Sequence, residues 1–220
     1  MEAFLSALDI TGSPHQQRVI TIATTPAMGA LLMPGLASAL KPTFPQILLH
    51  NIAIVDAARQ LDQRQVDLLI DTHLHSGQAI SHHVLYQDRV RMYCRAEHPA
   101  LHGPQDEAHL AQYEFALLLP EGQRYPTLHR RLQEEMGERR CGFSTFNLLT
   151  QAAMIAESDM LGLTTERLFA MVSRLWPLQT LDFHSLQDEK INVALHYNKQ
   201  SGKEPLLKEI IETVIQAFKA

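Results

Sequence analysis

A long alternating segment in the middle of the chain constrains the fold more than any other feature. Residues 85–101 predict a strand, because apolar side chains alternate with charged or aromatic ones and successive strand residues point to opposite faces. Pro99 has no N–H and holds His98 in extended geometry, so the strand must end there. One face carries Val90, Met92 and Cys94, and the other carries Arg89, Arg91, Tyr93 and Arg95. We expect a solvated edge face for the arginines, with attraction of a carboxylate ligand as the alternative.

Before this strand, short apolar runs alternate with helical periodicity. The strands are predicted at 18–23, 46–50 and 66–70, and the apolar helix faces at Met28, Leu32, Leu36 and Leu40 and at Ile54, Ala58 and Leu61. Pro34 lies inside the first helical pattern, so we expect a kink there or a regular helix that begins only near Met33. Strands and crossover helices in this order predict a parallel, right-handed α/β unit.

A second α/β unit follows the long strand, and the tail then returns to the first unit. Strands are predicted at 115–119, 140–144, 160–163 and 191–197, and helices at 126–136, 147–156, 166–172 and from Pro205 to Phe218. Two lobes joined by two strands leave a cleft between them. Ligands of α/β proteins bind beyond the carboxyl ends of the parallel strands, so this cleft is the predicted binding site.

Composition limits the function classes. A net charge of -5 argues against a freestanding nucleic-acid binder, since contacts to phosphates need clustered Lys and Arg. Two cysteines, Cys94 and Cys141, without a pairing motif make a disulfide framework unexpected and favour a reducing cytoplasm. We find no secretory signal at the start and no apolar run of about 18 residues, so we expect no membrane contact.

Metal binding and catalysis are not expected either. The densest histidine group is His73, His75, His82 and His83, but adjacent strand residues point to opposite faces, so surface and loop histidines are the better interpretation. The chain has no Gly-x-Ser-x-Gly elbow and no cysteine in a nucleophile setting. We expect that the protein binds no cofactor and is not an enzyme. A solute-binding protein of a transport system and a catalytic domain on the same fold stay as alternatives.

Two motifs carry a resemblance to a known family. The run Val66-Asp67-Leu68-Leu69 and the strand that ends in His98-Pro99 resemble the effector-binding domain of LysR-type transcriptional regulators. Residues 156–163 and 191–197 are similar to the branch that senses aromatic compounds and nodulation signals, although many members of that branch have Trp-His where this chain has Leu195-His196.

The resemblance implies an α/β fold of two Rossmann-like subdomains joined by two crossover strands, like the type 2 periplasmic binding proteins. The expected division is a remnant of a linker helix and hinge at 1–16, subdomain I at 17–87 plus 189–220, and subdomain II at 88–188. The resemblance also implies a bacterial cytoplasmic regulator whose effector domains form a homodimer, with a tetramer for the full-length protein. DNA would be bound only through an N-terminal winged helix-turn-helix, which this chain lacks.

Candidate ligand contacts come from the loops that follow the predicted strands. Thr25 corresponds to a position where the family often has Ser or Thr facing the ligand, and its hydroxyl with the free N–H groups at the helix start can receive an anion. Asn147 stands where the resembling branch has a polar ligand contact. For both Thr25 and Asn147 the alternative is a plain helix cap. The full expected set is Thr24, Thr25, Pro26, Thr72, His73, Gln123, Phe146, Asn147 and Thr165. The expected ligand is a small organic effector, aromatic or anionic.

Overall fold

The computed structural model describes residues 18–118 and 140–218. The strands of these residues are β1 Arg18–Thr24, β2 Ile47–Ala53, β3 Leu68–Asp71, β4 Ile80–Arg95, β5 Phe115–Leu118, β6 Cys141–Thr145, β7 Leu161–Thr165, β8 Leu178–Leu181 and β9 Lys190–Asn198. The α-helices are α1 Pro26–Leu40, α2 Ala57–Asp62, α3 Glu107–Leu110, α4 Leu148–Ala156, α5 Glu166–Val172 and α6 Pro205–Phe218. The predictions made for residues 1–16, for a helix at 126–136 and for Gln123 lie outside the described residues.

The first sheet confirms the predicted parallel unit. Strand β1 pairs in parallel with both β2 and β3, and β9 returns antiparallel between β3 and β4. Asp67 ties the start of β3 to β1, since its carboxylate accepts a hydrogen bond of 2.8 Å from the Thr21 N–H. We call the part of the fold built on β1, β2 and β3 lobe I.

Strand β4 joins this sheet to a second one. Its first half pairs antiparallel with β9, with a register shift between Val84 and Tyr86, and its second half pairs antiparallel with β7 and β8. In the second sheet β5 pairs in parallel with β6 and β7. We call the part built on β5 to β8 lobe II. The two sheets on a shared long strand give the predicted periplasmic-binding-protein-like fold, and the predicted subdomain boundaries stay a prediction.

One hydrophobic core continues from lobe I into the helices of lobe II. Leu32 and Leu36 of α1 are fully buried or nearly so, with Ile20 and Ile22 of β1 beneath them. Leu148 of α4 and Leu168 and Val172 of α5 belong to the same cluster. Helix α1 therefore packs against elements of both lobes and holds them together on one side of the cleft. A second core lies inside lobe II and includes Val90, Met92, Phe115 and Leu161.

The expectation that a regular helix begins only near Met33 was wrong, and the alternative of a kink at Pro34 stays a prediction. Helix α1 begins at Pro26 and continues through Pro34 to Leu40. Pro34 is exposed, and so is Ala30, the residue whose carbonyl loses its N–H partner, so water can replace that hydrogen bond. Burial of Leu32 and Leu36 on either side keeps the helix continuous. In α2 the predicted face was also displaced, since Ala57, Gln60 and Leu61 are buried and Ala58 is exposed.

The predicted charged face of β4 is not a free edge. Tyr93 is fully buried among Ala116, Ile155 and Phe169, because α4 and α5 cover this face of the strand. Arg91 pairs with Glu166 at 3.3 Å, and Arg95 pairs with Asp159 at 2.8 Å. Both arginines are half-buried, and their charges are paired within the domain.

Candidate ligand-binding site

A cavity of about 90 Å³ lies between the two lobes. Lobe I contributes Thr25, Pro26, Ala27 and Met28 at the start of α1, with Thr72 after β3. The crossing strands contribute Val90 and Ile191, and lobe II contributes Phe115 to Leu118, Phe146, Gln151, Leu163, Thr164, Thr165 and Leu168. The lining is mostly apolar with a few hydroxyl and amide groups, as is usual for small-molecule sites.

The cavity lies where the sheet topology predicts it. Thr25 follows β1, Thr72 follows β3, Phe146 follows β6 and Thr165 ends β7, so the carboxyl ends of strands from both lobes meet there. At the first of these ends Thr25 caps α1 and Pro26 occupies the first helical turn, where no N–H partner is needed. The Thr25 hydroxyl accepts from the Met28 N–H at a long 3.4 Å.

Five residues of the predicted set line the cavity: Thr25, Pro26, Thr72, Phe146 and Thr165. Phe146 is 54% exposed, so its ring is free to contact a molecule in the cavity. Thr165 precedes α5 but makes no side-chain cap, because the Asp88 carboxylate accepts from the Arg167 N–H instead. The hydroxyl of Thr165 is therefore not needed to cap the helix.

Three other predicted residues do not line the cavity. Thr24 is the buried last residue of β1, and its hydroxyl accepts from the Asn51 side-chain amide at 2.9 Å. Asn147 caps α4, since its side-chain Oδ1 accepts from the Leu149 N–H at 2.8 Å and the Thr150 N–H at 3.4 Å. His73 is exposed, with its ring against His75. For Asn147 the structure shows the helix-cap alternative.

Gln151 and Thr164 line the cavity and were not predicted. Gln151 is fully buried, accepts from the Tyr93 hydroxyl at 3.0 Å and donates to the Ala116 carbonyl at 2.6 Å. Its position one turn after Asn147, on a predicted apolar helix, is a signal that sequence reasoning had available. Burial of Tyr93 raises the pKa of its hydroxyl, which keeps that group a neutral donor. Thr164 gave no such signal, because it is one of two adjacent threonines on a strand.

The polar groups around the cavity are neutral in the part of the chain that the structure describes. No charged side chain from these residues lines it. Asp71, which precedes Thr72, is fully buried; its carboxylate accepts from the Thr72 N–H at 2.7 Å and contacts His75 Nε2 at 2.8 Å. These contacts fix the backbone at Thr72 from behind the cavity.

The histidine group of lobe I is held by packing and hydrogen bonds. Among the described residues, no three His, Cys, Asp or Glu side chains are arranged to hold a metal ion. The ring of His75 contacts Asp71, and the backbone N–H of His75 donates to Nε2 of the buried His196 at 3.1 Å. Across residues 18–118 and 140–218 there is also no helix with the length and apolar character of a membrane span.

Comparison with known proteins decides the family. Residues 13–219 match the family model described as the LysR substrate binding domain. The chain belongs to this family. It is 43% identical over 218 residues to the uncharacterized HTH-type transcriptional regulator YbeF of Escherichia coli strain K12, covering 99% of this chain and 69% of YbeF.

Solved LysR regulatory domains share the fold. The regulatory domain of CrgA from Neisseria meningitidis has a TM-score of 0.71 at 15% identity, over 92% of this chain and 100% of that one. The reduced OxyR regulatory domain from Pseudomonas aeruginosa has a TM-score of 0.73 at 17% identity, over 92% of this chain and 98% of that one. The chain is the effector-binding domain of a LysR-type transcriptional regulator, and its relatives are regulators rather than enzymes.

Proposed function

We propose that this domain senses a small organic effector, which binds in the cavity between lobes I and II. The observation that carries the proposal is the lining itself, since residues of both lobes and of both crossing strands surround one mostly apolar cavity. A molecule that contacts both lobes stabilises one arrangement of them over others, which is the thermodynamic requirement for a ligand-controlled switch.

The chemistry of the lining indicates an effector with a flat, apolar body. Phe115 and Phe146 offer aromatic surface, and Leu117, Leu163 and Leu168 offer aliphatic surface. This favours the aromatic ligands expected from the branch resemblance. A carboxylate on such a ligand would find favourable charge at the start of α1, where Thr25 and Ala27 line the cavity.

We also infer how the signal leaves the domain. Family membership supports a cytoplasmic regulator in which the effector domain forms a homodimer and controls DNA binding by a winged helix-turn-helix outside this chain. The net charge of -5 agrees with an effector domain that has no direct role on DNA.

The test is a thermal-shift screen of small aromatic acids, amides and phenols, followed by calorimetric titration of each compound that raises the Tm. Leu163→Trp fills the cavity from β7 and should weaken binding at least tenfold, because the indole occupies ligand volume. Leu175→Trp is the matched control, since Leu175 is 61% exposed and does not line the cavity. Equal affinity of wild type and Leu163→Trp for every compound would rule the cavity out.

A further inference from the structure

Two buried hydroxyls at the cavity have no hydrogen-bond partner. They are Thr72 Oγ1 and Thr164 Oγ1, both inaccessible to solvent. Thr72 follows β3 in lobe I, and Thr164 lies on β7 in lobe II with only 7% of its surface exposed. Both residues line the same cavity. The unpaired groups therefore come one from each side of the cleft.

Such groups need a physical explanation. Buried hydroxyls in folded proteins nearly always find a partner, because an unpaired one keeps the cost of losing water. This chain follows the rule nearby, since the buried Thr24 accepts from Asn51, and Thr145 accepts from the Asn147 N–H at 3.1 Å. The buried hydroxyl of Tyr86 is also unpaired, but Tyr86 does not line the cavity. The exceptions at Thr72 and Thr164 coincide with the cavity, and a ligand there can supply the missing bonds.

The backbone at both hydroxyls is held in place by the fold. The N–H of Thr72 donates to the buried Asp71 carboxylate, which also contacts His75. Thr164 stands in the ladder between β7 and β4, opposite Arg91. Because the backbone at both residues stays in place, a turn of each threonine side chain between its staggered positions is enough to bring its hydroxyl to the ligand.

We infer that the effector carries two separate hydrogen-bonding groups on an apolar body and bonds to Thr72 with one and to Thr164 with the other. This deepens the proposed function and rests on it. The ligand class is a small, ring-sized molecule with a polar group at each end. Its two bonds link lobe I to lobe II, so they make ligand binding depend on the relative position of the lobes.

The substitutions that test this are Thr72→Val and Thr164→Val, which remove each hydroxyl at nearly constant shape. In the free domain both should raise the Tm by a few degrees, because an unpaired buried hydroxyl is lost. Thr24→Val is the matched control and should lower the Tm, since it removes one of the two hydrogen bonds that the Asn51 amide donates. A loss of Tm in Thr72→Val or Thr164→Val as large as in the control would overturn the inference.

The ligand arm uses 4-hydroxybenzamide and 4-hydroxybenzoate, which are polar at both ends, against phenol, benzamide and benzoate, which are polar at one. The two-ended probes should bind more tightly than their one-ended partners. Thr72→Val and Thr164→Val should each weaken a two-ended probe roughly two- to tenfold, with Thr24→Val unchanged. Thr72→Ser and Thr164→Ser should restore most of that affinity.

The outcomes separate this inference from the proposed function. Binding that is lost in Leu163→Trp but kept in both valine variants overturns the hydroxyl pair and leaves the cavity as the effector site. Binding that survives Leu163→Trp overturns both claims. Failure of all five probes to bind also counts against both.

Discussion

His196 shows at the scale of one residue how burial sets a measurable property. It is fully buried on β9, and its Nε2 accepts from the backbone N–H of His75. Its ring lies 5.1 Å from that of His75 and 5.8 Å from that of His82. Burial, with a further contribution from the charge of His75, lowers the pKa of His196 to about 4. The neutral ring is the form that can accept the His75 N–H, so the fold requires it.

Acidification should therefore destabilise the domain through His196. The unfolded chain binds a proton on this histidine near pH 6.5, while the folded chain binds it only near pH 4, so stability is fully present above pH 6.5 and falls as the pH is lowered towards 4. The loss reaches up to about 3 kcal/mol. Urea unfolding of wild type and His196→Gln at pH 7.5, 6 and 5 measures it, and the variant should lose less stability on acidification.

The exposed His102 supplies the control for this experiment. His102→Gln should follow the wild-type pH dependence, because it leaves His196 and its contacts with His75 and His82 in place. A His196→Gln variant with the same pH dependence as wild type would contradict the assigned burial and pKa.

Two motif residues from the sequence also have structural roles. Asp67 fastens β3 to β1 through the Thr21 N–H. His98 is fully buried; its Nδ1 accepts from the Ala100 N–H at 3.0 Å and its ring packs against Tyr113. Strand β4 ends at Arg95, and His98 caps the short 3₁₀ helix Pro99–His102 that follows it. These contacts explain why short motifs identified the family without reporting on the ligand.

At the scale of elements, helix α1 contains two glycines with opposite surroundings. A Cβ at Gly29 would lie 2.7 Å from Asn51 Oδ1 and 2.8 Å from Thr24 Oγ1, whereas a Cβ at Gly35 meets nothing within 4 Å. The Asn51 side chain cannot easily move, since it donates to the Ile22 carbonyl and to Thr24. Close packing of α1 on β1 and β2 therefore leaves no room for a side chain at position 29, whereas at position 35 there is room for one.

Substitution of these glycines should change stability in opposite directions. Gly35→Ala should stabilise the domain by about 0.5–1 kcal/mol through helix propensity. Gly29→Ala should destabilise it by about 1–3 kcal/mol, because the added methyl group overpacks the helix–strand contact. Chemical unfolding of both variants beside wild type measures this. Similar stabilisation by both alanines would show that α1 does not pack on the sheet as described.

The elements were predictable where local pattern decides them. The apolar runs before β4 and the helical spacing between them were enough for the parallel unit of β1, β2 and β3. The continuation of α1 through Pro34 and the burial of Tyr93 were not, because tertiary cover by other elements decided both. Strand β8 was missed, since it is four residues long with no clear alternation.

At the scale of the whole molecule, topology located the cavity and packing selected its lining. The rule that ligands bind beyond the carboxyl ends of parallel strands was enough to find the cavity residues Thr25, Pro26, Thr72, Phe146 and Thr165. It could not separate Thr25 from Thr24, nor Phe146 from Asn147, because adjacent side chains diverge and only the packed structure shows which one turns inward. Gln151 could have been found from its place on a predicted apolar helix one turn after Asn147, but its hydrogen bond with Tyr93 of β4 needed the packed structure.

The most direct test of the central claim is a crystal structure of this domain with the probe that gives the largest rise in Tm. We predict ligand density between the start of α1 and strands β5 and β7, with polar atoms within about 3 Å of the Thr72 and Thr164 hydroxyls. Density at any other place on the domain, with the cavity between the lobes left empty, would contradict the account.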